Sequence, residues 1–486
     1  MNDNDPSNNA DTPPSTISVD PFKGDREPAP EVPQPEKTEK PKKGFFASLK
    51  SVLTFGSYSV YLVTAWILGI FGIILDSYLM LFLRDFIIAY MPQVELVYIT
   101  IGFAVLAFIG IELIARFFGG YLGDNVNRKW LSVLTMFISG LGMMILAFAT
   151  GLIGLIAGIL IMSGSSLFAS GSTSYIYEQI EPEHSGLAMG IFQTSSGFGL
   201  IGLGLVTWLL EIGVPFVFTI QIVFFIGAMC YMVAATIRAV FLAEPRPIVR
   251  EKQEKNHARE FLKQNANALK LLWMILPVFM VVLILDALSD GFYRFVSTFY
   301  LNEALGFSIG EISIMLIVVL AFSIPLSVWV GSFFDKYGSR RAIIAVYSVM
   351  PITLALLILA PLFPFWLPPA TVASIITTHP ILEPLMSTAF IALAMKNIND
   401  ILWWTLILTY LRKAMPRSET AKMLSIFFIV VFFAFLITPI PSGFIYTFFG
   451  AIPLLVLTLC INLVILGILV FANVEPQPIP EEYKDM

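Results

Sequence analysis

Twelve apolar stretches, each of roughly twenty residues or more, follow one another between Tyr58 and Asn473, and nothing else in the chain constrains its fold as strongly. A helix rises 1.5 Å per residue, so about 20 residues cross a hydrocarbon core about 30 Å thick. In lipid only helices or closed barrels satisfy every backbone N–H and C=O, and these runs are far too long for barrel strands. The pattern predicts an all-α integral membrane protein with twelve transmembrane helices. Spans are expected near 61–83, 94–122, 130–150, 152–175, 187–210 and 214–242, then near 271–301, 309–334, 342–362, 385–411, 423–449 and 452–472. With 57 % hydrophobic and 13 % charged residues among 486, the apolar surface exceeds what one soluble core can hide.

The two sets of six are related by an internal repeat. GGYLGDNVNRKW (119–130) falls between the second and third runs, and VGSFFDKYGSRR (330–341) falls between the eighth and ninth. Both fit Gly-x-x-x-Asp-x-x-(Gly/Asn)-x-(Lys/Arg): Gly120, Asp124, Asn127 and Lys129 in the first, Gly331, Asp335, Gly338 and Arg340 in the second. Asn127 replaces the glycine of a tight turn, and the expectation is that it adopts positive φ there, as asparagine tolerates. Ile-Leu-Asp with Asp76, followed by Arg84, is echoed by Ile-Leu-Asp with Asp286, followed by Arg294. EPEHSG (181–186) and MPRSET (415–420) correspond at a larger offset, which an insertion at 361–380 explains. The expected organisation is a tail at 1–50, a six-helix bundle at 51–245, a polar linker at 246–270, a second six-helix bundle at 271–474 and a tail at 475–486.

With two copies of that loop in a twelve-span chain, the sequence resembles the major facilitator superfamily over about residues 58–473. The resemblance implies two pseudo-two-fold-related bundles and secondary transport by alternating access. It implies too that Gly120, Asp124, Arg128, Lys129, Gly331, Asp335, Gly338, Arg340 and Arg341 form gate loops that latch the halves on the cytoplasmic side. Such loops report mechanics and say nothing of the substrate. Drug–proton antiporters of the superfamily usually carry Gly-Pro in span 5 and an arginine in span 4. Here GIFQTSSGFGLIGLG has no proline and LIMSGSSLFASG no arginine, which lowers an exporter reading. IARFFGGYLGD, with Arg116, is more similar to the metabolite and organic-acid symporters.

Lysine and arginine concentrate in loops 2–3, 6–7, 8–9 and 10–11, while the opposite loops offer essentially Arg84. The positive-inside rule then puts both termini in the cytoplasm of a multi-pass plasma-membrane protein. Residues 1–43 are too polar to fold, and lack an apolar signal core, so span 1 is expected to direct insertion. Residues 43–54 suit either an amphipathic surface helix or a flexible lead. Cys230 and Cys460 fall within spans and imply no disulfide. His184, His257 and His379 lie apart, so neither a metal site nor any other cofactor is expected. There is no phosphate-binding Gly-x-x-x-x-Gly-Lys-(Ser/Thr) loop and no basic patch for nucleic acid.

Charges inside spans are costly, about 2.5–3.5 kcal/mol each on insertion scales, so each is a functional candidate. Three opposite-charge pairs sit four residues apart and so share a helix face: Glu112 with Arg116, Asp290 with Arg294, and Lys396 with Asp400. Each pair equally fits self-neutralisation on a cavity wall, and Arg294 fits a side chain reaching for the outer interface. Asp76, Glu112, Asp286 and Asp400 are the candidate proton carriers, and Arg116 and Lys396 the candidate anion partners. Asp76 fits a structural hydrogen bond to a neighbouring helix as well, and Trp403 and Trp404 fit packing. Pro439 and Pro441 predict a kink in span 11. The function expected is proton-coupled movement of a small organic solute by a monomer. The alternatives are a proton-driven exporter of amphipathic compounds, and a receptor or scaffold that moves nothing.

Overall fold

The computed structural model describes residues 56–169, 192, 194–243, 257–322, 339–414, 420–472, 474 and 477. These residues are nearly all helical, and no strand occurs among them. The first half contributes Gly56–Tyr90 (span 1), Val97–Asn125 (span 2), Arg128–Ala147 (span 3), Leu152–Gly164 (span 4), Gly199–Glu211 (span 5) and Phe216–Phe241 (span 6). The second contributes Pro277–Phe299 (span 7), Ile309–Phe322 (span 8), Ser339–Tyr347 with Val349–Leu359 (span 9), Thr388–Ala414 (span 10), Thr420–Ile437 with Pro439–Phe449 (span 11) and Ala451–Phe471 (span 12). Each of the twelve expected runs therefore contains a helix, and seven of the helices described are long and apolar enough to cross a bilayer alone.

Three local features depart from or refine the sequence expectations. Asn127 has φ −58° rather than a positive value, and its side chain accepts a hydrogen bond from Lys129 N–H at 3.0 Å. A short side-chain oxygen there caps span 3 and satisfies one of its free N–H groups, which removes any need for the left-handed region. Span 7 begins at Pro277 and not near 271. Residues 271–275 end the preceding linker helix, His257–Ile275, whose axis turns 104° into span 7. Proline has no N–H to donate and disfavours helix in the residue before it, so it is suited to open a helix, not to continue one. Span 11 is interrupted at Thr438, with Pro439 starting its second segment, as the prolines predicted.

Packing repeats between the halves as the sequence does. Span 6 packs on spans 1 and 3, and span 12 packs on spans 7 and 9. At the end of the bundle where loops 1–2 and 7–8 lie, one continuous apolar core joins both halves, including Phe82, Phe86 and Ile101 from the first and Phe295, Phe299 and Tyr446 from the second. Toward the opposite end the buried residues separate into two clusters. One, around Tyr58, Leu62 and Leu242, belongs to the first half; the other, around Leu272, Phe279 and Phe427, belongs to the second. The tails and linker residues 244–256, most of loop 8–9, and the EPEHSG loop lie outside the described residues.

Candidate functional site

The joined end is held by a polar latch built around Glu303, in the last turn of the helical segment that continues span 7. Its carboxylate accepts from Arg84 Nη1 at 2.6 Å, from the Tyr98 hydroxyl at 2.8 Å and from the Tyr446 hydroxyl at 2.6 Å. Arg84 is further fixed by Asp85 at 2.7 Å and Asn302 at 2.9 Å. Four helices thus converge on one carboxylate: spans 1 and 2 of the first half, spans 7 and 11 of the second. Below it, the rings of Tyr98, Phe299 and Tyr446 pack with centroids 4.5–5.4 Å apart, the usual range for favourable aromatic pairs. Spans 2 and 11 approach backbone to backbone here. A Cβ at Gly102 would come 2.6 Å from the Pro439 carbonyl oxygen, and one at Gly443 would strike that of Tyr98. Tyr78 of span 1 also hydrogen-bonds Ser313 of span 8, whose own hydrogen goes to the Ile309 carbonyl at 2.7 Å.

Charges gather midway along the spans. The Glu112–Arg116 pair forms at 2.5 Å, with the guanidinium over the ring of Phe432 from span 11, 4.9 Å from its centroid. The other two expected pairs merge into one chain. Arg294 meets Asp290 at 3.0 Å, Asp290 meets Lys396 at 2.9 Å, and Lys396 meets Asp400 at 2.5 Å. Lys396, with only 6 % of its side chain exposed, is enclosed by two carboxylates and lies over the ring of Tyr293. Arg294 does not reach out to an interface: it lies over Phe435 of span 11 and within electrostatic reach of Asp76 in the other half.

Three members of this group stay open. Arg116, Arg294 and Asp400 have 45 %, 59 % and 50 % of their side chains exposed. Contact with lipid would be costly for charges inside spans, so exposed groups of this kind call for a hydrated surrounding. Asp76 makes no hydrogen bond among the described residues and lines a cavity of about 360 Å³ with Tyr61, Thr135, Phe192, Ser195 and Arg238. That replaces the structural hydrogen bond as an account of Asp76. Asp286, its counterpart in the repeat, is instead tied into its own half: Trp403 Nε1–H donates to it at 2.8 Å and the Tyr347 hydroxyl lies 3.0 Å away. Trp403 is therefore a hydrogen-bond donor within the packing, while Trp404 stays partly exposed beside Phe428.

Of the gate-loop residues, Gly120 and Asp124 fall in the last turns of span 2, and Arg128 and Lys129 open span 3. Arg340 and Arg341 lie in the first turn of span 9. Gly331, Asp335 and Gly338 lie outside the described residues, as do the side chains of Asp124 and Arg340.

The sequence reading passed over the latch and Arg238. Arg238 is buried in span 6, donating to Thr64 at 2.8 Å and Ser132 at 2.7 Å with Tyr61 against its face, 4.1 Å from the ring centroid. Arg84 stands almost alone in its loops, but nothing in the sequence joins it to Glu303, 219 residues away. A wider hollow of about 710 Å³ near Phe148 and Ile153 is lined by apolar groups and carries none of this chemistry.

This fold and this site define a membrane transporter rather than an enzyme, and comparison with known proteins narrows the class. The profile of the Major Facilitator Superfamily matches residues 44–401, and the chain belongs to that family. Solved structures with the same fold include the nucleoside transporter NupG, with 13 % identity and a TM-score of 0.60, covering 85 % of this chain and 98 % of that one. A D-xylose–proton symporter aligns at 16 % identity and a TM-score of 0.59, over 89 % and 98 %. A bacterial homolog of the human lysosomal transporter Spinster, in an inward-facing and occupied conformation, aligns at 13 % and 0.54, over 89 % and 97 %. No curated protein matches by sequence.

Proposed function

We propose that the chain moves a small polar organic solute across the plasma membrane by alternating access, coupled to protons, with both termini in the cytoplasm. The observation that carries this reading is the asymmetry of the core. The halves share one apolar core and the Glu303 latch at the 1–2/7–8 end but keep separate cores toward the other, the arrangement of a transporter closed outside and parting inside. The moving bodies are residues 51–245 and 271–474, with 246–270 as tether. The gate loops at Gly120–Lys129 and Gly331–Arg341 would close the opposite face in the alternate state.

The cargo site is a hydrated space between the halves. Asp76 has a free carboxylate for a donor group of the solute, and Arg116 and Arg294 offer half-open guanidinium groups for an acceptor or anionic group. Phe432 and Phe435 supply apolar area beside those cations. Lys396 would have to leave two carboxylates to meet cargo, so it serves better in holding spans 7 and 10 together. The test is melting of the purified protein against carboxylates, amino acids, nucleosides, sugars and lipophilic cations, followed by vesicle uptake of whichever class stabilises it. Saturable uptake of a polar solute supports the reading. A shift with lipophilic cations alone, or binding without movement, contradicts it.

A further inference from the structure

The hydrogen bonds around Asp286 leave one hydrogen unaccounted for. Tyr347 is fully buried, and its hydroxyl oxygen has two oxygen neighbours: Asn462 Oδ1 at 2.7 Å and Asp286 Oδ1 at 3.0 Å. The orientation of the Asn462 amide is fixed from its other side. Its Nδ2 faces the backbone carbonyl of Thr458 at 2.8 Å, which can only accept, and Ser289 Oγ at 2.5 Å. Asn462 therefore presents its carbonyl oxygen to Tyr347, and that oxygen can only accept as well. A phenol has one hydrogen, and at 2.7 Å from an acceptor it belongs to Asn462. The 3.0 Å contact with Asp286 then needs a hydrogen from the carboxyl group.

We propose that Asp286 is the proton-binding site of the transport cycle, occupied in this conformation as a neutral acid whose Oδ1–H donates to Tyr347 and whose Oδ2 accepts from Trp403. This rests on the proposed proton coupling and names its residue. The surroundings agree with a neutral acid. The charges in reach are Asp290 on the same span and Lys396 on span 10, and Lys396 is already held by Asp290 and Asp400. Span 9 presents Tyr347, span 10 also presents Trp403, and span 12 presents the uncharged Asn462; the described residues of span 11 bring no charge to the group. Taken together, the carboxylates Asp76, Glu112, Asp286, Asp290 and Asp400 outnumber the cations Arg116, Arg294, Lys396 and Arg238 by one, and one bound proton removes that excess.

Release follows from the same count. When the O–H bond of Asp286 breaks, its electron pair stays on the carboxylate and the proton passes to water in the opening cavity. Tyr347 then has two acceptors and one hydrogen. Turning it to the new carboxylate leaves Asn462 without a donor in a buried site, while keeping it on Asn462 leaves the carboxylate facing a lone pair. The first choice frees span 12 from span 9 and the second frees span 7 from span 9, so either way one link through Tyr347 is lost, and this ties proton loss to movement inside the second half.

The test is infrared spectroscopy of the full chain in lipid with isotope-labelled aspartate, titrated with pH. The proposal predicts a protonated-carboxyl C=O band near neutral pH that shifts in heavy water, fades as pH rises and is missing in Asp286→Asn. In Tyr347→Phe, which removes the acceptor, the band persists but moves to higher frequency. A band that is the same in Asp286→Asn as in the parent, or unmoved in Tyr347→Phe, overturns the assignment. Failure of the broader reading looks different. The band would be present while solute movement carried no proton; conversely, proton-linked transport without the band would move the coupling site elsewhere.

Discussion

Replacing Glu303 by Ala removes the acceptor shared by Arg84, Tyr98 and Tyr446, and the consequence for the conformational equilibrium follows from its contacts. Two of the three bonds cross between the halves, from Arg84 and from Tyr98, and each goes to a charged carboxylate and contributes about 1.5–3 kcal/mol. The site is partly open to solvent, with 30 % of the Glu303 side chain exposed, which places the total near the low end, about 3 kcal/mol. Those two contacts join spans 1 and 2 to span 7, so their loss falls on the form closed at this end, whereas the Tyr446 bond lies within the second half and is lost in either form. At about 1.4 kcal/mol per tenfold, the closed-to-open ratio at this end falls about a hundredfold. Spin labels at Tyr90 and Phe307, in a background lacking Cys230 and Cys460, would read it as a shift to longer distances. Glu303→Gln, which keeps shape and an acceptor oxygen, should give a smaller shift. Unchanged distances in Glu303→Ala would refute the claim that this carboxylate holds the end closed.

Three further outcomes are expected. Gly443→Val puts branched carbons against the Tyr98 carbonyl, so closure at that end should be lost along with transport while each half stays folded, read by the same labels and by melting. Lys396→Ala leaves Asp400 without its cation and Asp290 with Arg294 alone, and should lower stability by up to about 3 kcal/mol in denaturant titration, less than a fully buried pair because Asp400 is half exposed, with partial recovery when Asp400→Asn is added. Asp76→Asn should change stability by no more than about 0.5 kcal/mol, since Asp76 has no bond to lose, yet raise the KM for the solute at least about tenfold. A destabilised variant with unchanged KM would make Asp76 structural.

What could be read in the sequence was what neighbouring residues determine. The spans, the duplicated loop and the three pairs at four-residue spacing all follow from local periodicity; the structure contains helices in the spans, the first copy of the loop and the three pairs, while most of the second copy lies outside the described residues. The pairs joined as one chain did not follow from local periodicity, because Lys396 meets Asp290 across 106 residues of sequence. Glu303 was invisible as a latch for the same reason: its partners are 219, 205 and 143 residues away. The environment of Asp286 was hidden more deeply, since Tyr347, Trp403 and Asn462 look like ordinary span residues until helices 7, 9, 10 and 12 meet. Asn127 shows the opposite error, a local rule applied to the wrong atom: its side-chain oxygen mattered more than its tolerance of positive φ.

The account stands most directly on whether protons move with the solute. Purified protein in sealed vesicles, given a stabilising solute with a pH indicator inside and the membrane potential clamped, should carry both together in a fixed ratio, and an imposed proton gradient should concentrate the solute against its own. Solute movement at the same rate and to the same final level with and without the gradient, with no change in internal pH, would contradict proton coupling and leave a passive carrier on this fold.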